Sequence, residues 1–293
     1  MTRCILPTLL SLVSFGAPTL EAQDAAEQLM AQKKMARDNW ALLELGDPAS
    51  HETEHLLILA PKSTERRLKD IAVNLERSHG VAAKALQLTQ EESLPGKLTV
   101  YLLPERDQFT PFVRRVEKRR LEDNEAGSHI VDGDAPHAAA SSPRSKGDPN
   151  LDHQAAVQVA AALLQHKAGA KVPVPEWLVL GFGRATAWRA MPADKAVLNE
   201  RRLARTLIAS KKRTAADVWD GTLEVEEAGV LRASLAEFLA YGPGAGKFPA
   251  LLIGFKPEEN QDNRTIAQAL ESAAIDPKVI EARWGPWALA IGK

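Results

Sequence analysis

Leu56 to His79 reads LLILAPKSTERRLKDIAVNLERSH, and its two parts follow different periods. Leu56-Leu57-Ile58-Leu59-Ala60 is a short unbroken apolar run closed by Pro61, the pattern of a buried strand. Beyond it, Leu68, Ile71, Ala72 and Leu75 recur at helical spacing among charges. The spacing predicts a helix over 63–79, with Ser63 or Thr64 as its cap and Gly80 at its end. Lys97 to Leu103, KLTVYLL, is rich in strand formers and is stopped by Pro104. Strand, helix and strand in that order suit two parallel strands of one sheet.

Immediately upstream, His51-Glu52-Thr53-Glu54-His55 matches HExxH letter for letter. That motif works on a helix, where two histidines four residues apart share a face and ligate zinc while the Glu acts on the bound water. Here it runs straight into the apolar strand. On an extended chain the two histidines point the same way but stand about 13 Å apart, at roughly 3.3 Å per residue, too far for one metal. Ser50 could cap a short helix instead, which keeps an active zinc metallopeptidase using His51, Glu52 and His55 as an alternative reading.

Further toward the start, Asp24 to Leu45 reads as a helix ending near Gly46 and Pro48. Met1 to Ala22 has the charged start, apolar middle and small-residue exit of a secretory signal peptide, so the chain is expected to be exported, to the periplasm or beyond. Cys4, the only cysteine, lies inside that segment, which leaves disulfides, thiol chemistry and thiolate metal sites out of the mature chain. The 293 residues carry 37 Lys and Arg against 38 Asp and Glu, a formal charge of −1. Removing Arg3 and Glu21 together leaves it unchanged. Such a balance gives no nucleic-acid footprint, and no later apolar run reaches the length of a membrane span.

Downstream, Val113 to Asn124, VRRVEKRRLEDN, reads as a solvated helix face. Gly127 to Asp132 could hold another short strand, and Ser141 to Asn150 reads as a loop. From Leu151 onward almost everything is helical in pattern. The expected organisation is a signal segment over 1–22, a helix over 23–46, a sheet-containing subdomain over 47–150 and a helical subdomain over 151–293.

Two helices carry the most specific signal: Leu151 to Ala168, LDHQAAVQVAAALLQHKA, and Pro175 to Met191, PEWLVLGFGRATAWRAM. Here the chain resembles the peptidase MA-like gluzincin domains of exported bacterial proteins. Those domains carry HExxH, often as HEATHQ, on one helix and WLxEGxA, whose Glu is the third zinc ligand, on the next. His153-Gln154-Ala155-Ala156-Val157-Gln158 lies over the first motif and Trp177 to Gly183 over the second. The resemblance extends weakly over Glu54 to Leu289, and it implies a small sheet ahead of the motif helices.

The departures bear on function. His153 keeps the first ligand position, but the catalytic Glu has become Gln154, the second His Val157 and the third-ligand Glu Leu180. One imidazole does not make a catalytic zinc site, which takes three protein ligands and an open position. Gln154 has no carboxylate to take a proton from water. Val157 and Leu180 could pack together where the metal would sit. Sliding the alignment by one helical turn puts Val157-Gln158-Val159-Ala160-Ala161 over HExxH and loses every ligand. His153 is then a vestigial ligand, an anion partner or, on the plainest reading, a solvated residue beside Asp152. His166 reads as surface, Trp177 and Trp188 as a core pair on one helix face, and Arg184 and Arg189 as either exposed or lining the old cleft.

Gly242 to Phe248, GPGAGKF, suggests a phosphate loop but has Tyr241 for the first glycine and Phe248 for the hydroxyl, so it reads as the end of a helix over 231–241. The reading as a whole is an exported α+β protein: a small N-terminal mixed sheet with helices, then a mainly helical, gluzincin-like half with a degenerate zinc centre. No cofactor, metal, nucleic acid or membrane span is expected. The expected role is binding or scaffolding through the former substrate cleft, where an edge strand could pair with an extended peptide. A purely structural helical protein is the other alternative.

Overall fold

The computed structural model describes residues 20–133, 135–142, 150–211, 213–258 and 262–291. The expected signal segment lies outside these residues except for its last three, as does most of the expected loop from Ser141 to Asn150. Helix α1 (Leu20–Ala41) is followed by β1 (Ala49–Glu52), β2 (Leu56–Ala60), α2 (Glu65–Leu86), β3 (Leu98–Leu103), α3 (Arg106–Arg115), β4 (Gly127–Ile130) and β5 (His137–Ser141). The helical half comprises α4 (Leu151–Ala168), α5 (Glu176–Ala190), α6 (Lys195–Lys211), α7 (Ala215–Trp219), α8 (Val225–Tyr241), α9 (Phe248–Gly254), α10 (Ile266–Ser272) and α11 (Pro277–Ala290). The class is α+β. None of the described helices is long and apolar enough to cross a membrane.

The strands form one sheet in the order β1-β2-β3-β5-β4, with β2, β3 and β5 parallel and β1 and β4 as antiparallel edges. Both faces are covered, which is why β2 reads as an unbroken apolar run rather than an alternating one. Leu56, Ile58 and Ala60 face Leu68, Ile71 and Leu75 of α2 and Ala155 and Val159 of α4. Leu57 and Leu59 turn the other way, toward Trp40 of α1 and Phe109 and Phe112 of α3. The opposite side of α4, with Ala160, Leu163 and Leu164, enters a third cluster with α5, α8, α9 and α11. α4 is therefore buried on two sides and shared by both halves.

Three expectations change. α2 does not stop at Gly80 but continues to Leu86, because Ala82 and Leu86 are buried; it closes at Gln87, whose φ of 51° is left-handed. The charge run is not a solvated helix face. α3 ends at Arg115, and the Glu117 side chain is buried, accepting hydrogen bonds from Ser128 Oγ at 2.5 Å and pairing with Arg119 at 2.8 Å. Burial pulls the Glu117 pKa up, but His137, Ser128 and Arg119 outweigh it and hold the carboxyl below its ordinary range. Finally, β1 and β5 form strands that the sequence pattern does not announce.

Candidate functional site

The Asn150 side chain caps α4 by accepting the His153 N–H at 2.9 Å. One turn further on, α4 crosses α5 at close range. A Cβ on Gly183 would stand 2.4 Å from the Val157 carbonyl oxygen, and one on Gly181 would stand 2.7 Å from the Arg232 carbonyl oxygen of α8. Both positions accept only glycine without a backbone shift. Trp177 and Trp188 are buried in the helical core, as their spacing predicts. The glycine and tryptophan of the second motif thus serve packing on both sides of α5.

The expected ligand positions do not assemble a metal centre. His153 is 0% exposed, not solvated beside Asp152; it is Asp152 that reaches the periphery, pairing with Arg67 at 2.9 Å. Neither ring nitrogen of His153 has a hydrogen-bond partner. Glu200 Oε2 of α6 lies 3.7 Å from Nε2, too long for a hydrogen bond, and takes the Trp188 indole N–H at 2.5 Å, while Arg184 Nε stands 3.4 Å from its other oxygen. Burial, and then the Arg184 charge, push the His153 pKa down to about 3. Gln154 is half-buried, Val157 is buried in the sheet-side core, and Leu180 is half-buried and outside the cluster that holds Val157.

The resemblance implies zinc here, and the residues do not fit it. One buried imidazole, a carboxamide and two aliphatic side chains offer too few donors, and the carboxylate beside His153 is already neutralised by Arg184. A cation seated at His153 would also face that guanidinium in a poorly solvated space. Glu200 is the residue not singled out from the sequence, whereas Arg184 and Trp188 were named there without a link to His153. Their meeting depends on α6 folding back onto α5, which no local pattern reveals.

Gln158, the neighbour of Val157 on α4, faces the sheet edge. Its Oε1 is 2.9 Å from His129 Nδ1 on β4, and its side chain fills the space over Gly127, where a Cβ would stand 2.7 Å from Gln158 Cγ. The main-chain groups of β4 alternate in direction. Ser141 N–H donates to Ala126 O at 2.8 Å, which with the register Gly127↔Ala140 turns Ser128 and Ile130 toward β5. Gly127 and His129 consequently aim their N–H and C=O groups outward, and no described strand pairs with that side.

His51 to His55 does not form a helix. His51 and Glu52 belong to β1, where His51 pairs with Ile58, and Thr53 to His55 make the turn into β2. Glu52 is an anchor: Lys33 at 2.6 Å and Lys97 at 3.2 Å bind its carboxylate, and Lys33 above all lowers its pKa. His55 instead meets Glu76 and His79 of α2. Among the described residues these three are the one group of possible metal ligands with atoms within 4.8 Å of one another. Glu76 and His79 were not singled out from the sequence, although three residues apart they share a helix face. His166 is half-buried, its Nε2 2.9 Å from the Glu92 carbonyl oxygen.

No protein-family model matches the chain, and no curated protein or solved structure resembles it at a significant level.

Proposed function

We propose that this chain is a non-hydrolytic, peptidase-like exported protein that binds an extended polypeptide segment along the open edge of β4. The observation that carries the reading is the outward-facing main chain of Gly127 and His129 beside α4. An extended segment added there gains main-chain hydrogen bonds, which supply affinity without any catalytic group. The resemblance to gluzincin domains supports the same location, because Val157 and Gln158, adjacent on α4, touch the α5 crossing and the β4 edge respectively. Support for the absence of hydrolysis comes from the poverty of donors around His153 and the guanidinium beside it.

A randomised library of unstructured peptides screened against the purified protein tests this reading. His129→Pro deletes one outward N–H while leaving the ladder to β5 intact, and His129→Ala removes only the side chain and its bond to Gln158. Wild type and His129→Ala should bind extended, non-helical segments without cleaving them, and His129→Pro should bind roughly tenfold more weakly, the worth of one hydrogen bond. Equal binding by all three, or no extended ligand at all, would remove the edge from the account.

A further inference from the structure

The turn between β1 and β2 and the helix that follows bring together side chains that the peptide-binding reading does not use. β2 has five residues and covers about 17 Å at roughly 3.3 Å per residue. α2 starts at Glu65 and retraces that length at 1.5 Å per residue in about eleven residues, which returns the chain to the level of His55 at Glu76. His79 follows one turn later on the same face.

The His55 backbone is held on both sides. Its N–H donates to Glu76 Oε1 at 2.9 Å, and its carbonyl accepts from Leu98 N–H at 3.0 Å. Its Nδ1 lies 3.0 Å from Glu76 Oε2, and its ring stacks on that of His79 with centroids 4.2 Å apart and planes 20° from parallel. A Glu–His pair accounts for the first two residues alone. It does not account for a second imidazole laid face to face on the first.

We infer that His55, Glu76 and His79 bind a divalent first-row transition ion, with Zn²⁺ as its probe. Imidazole and carboxylate donors are those that suit Zn²⁺, Ni²⁺ and Cu²⁺. Tetrahedral coordination at about 2.1 Å sets ligand atoms about 3.4 Å apart, so the present spread of up to 4.8 Å closes by rotation of half-buried side chains. Glu54 Oε1, 3.9 Å from His55 Nε2 and on the solvent side, offers a further oxygen. The bound ion would clip the β1–β2 turn to α2. The inference is independent of peptide binding at β4.

The test is titration of Zn²⁺ into the purified full chain, read by calorimetry, by thermal melting and by histidine-ring NMR. One ion per chain should bind, raise the melting temperature, and shift the ring signals of His55 and His79 while those of His51 and His153 stay in place. His55→Gln and His79→Gln should each weaken binding at least about tenfold and abolish the thermal shift. The NMR result uses wild type alone, so it stands even where a variant folds poorly. No uptake, or uptake that moves the His51 or His153 signals instead, would overturn the assignment.

Discussion

His153 is a histidine buried without a hydrogen-bond partner on either ring nitrogen. A buried imidazole with both nitrogens unpartnered carries an uncompensated desolvation penalty. Replacing it by an aliphatic side chain of similar size is therefore expected to be neutral or stabilising, so His153→Leu should lie within about 1 kcal/mol of wild type or above it. The pH dependence follows from the same burial. The unfolded chain takes up a proton near 6.5 and the folded chain only near 3, so between those values the unfolded state holds more protons and stability rises with pH. The stability is complete above 6.5 and is lost as pH falls toward 3, at up to about 1.4 kcal/mol per unit for this one group. Denaturant melts at a series of pH values should show a shallower acid limb in His153→Leu; an unchanged limb would mean that the imidazole is solvated after all. None of this was legible in the sequence, where His153 sits between Asp152 and Gln154 and looks like a surface residue. Arg184 and Glu200, which settle its environment, arrive from other helices.

At the scale of elements, what the sequence announces depends on whether a segment's own residues or its neighbours decide its shape. β2 and β3 are legible because strand formers fill them, and so is α2 with its apolar stripe. β5 reads His-Ala-Ala-Ala-Ser, with no β-branched residue, and is a strand because β3 and β4 pair with it on both sides. β1, Ala-Ser-His-Glu, is a polar edge whose only strand partner among the described residues is β2. Gly80 falls inside α2 because burial of Ala82 and Leu86 outweighs the roughly 1 kcal/mol that glycine costs a helix. The α4/α5 crossing makes its own prediction. Gly183→Ala pushes a methyl group against the Val157 carbonyl and should destabilise the protein by about 1–3 kcal/mol, measured as a lower denaturant midpoint with an unchanged slope. Destabilisation below about 0.5 kcal/mol would show that the two helices are free to part.

For the whole molecule, α4 joins a sheet covered on both faces to a helical half. The α+β class, with a small mixed sheet first and helices after it, was legible from periodicity. The candidate site was legible only in part: the two motif helices do pack against each other, and HExxH at 51–55 lies on a strand and turn, as its run into the apolar strand indicated, but the sequence did not show that His55 of it enters a ligand cluster. A three-dimensional cluster built from a turn and a crossover helix leaves no single motif to find. On the donors available, the α4/α5 crossing fits a packed core better than a metal centre. The most direct measurement is the zinc content per chain of wild type and His153→Leu after equilibrium dialysis against the same buffered zinc. A packed core gives the same ratio in both, whatever its value. A zinc equivalent present in wild type and missing from a folded His153→Leu would contradict it and return a metal to α4.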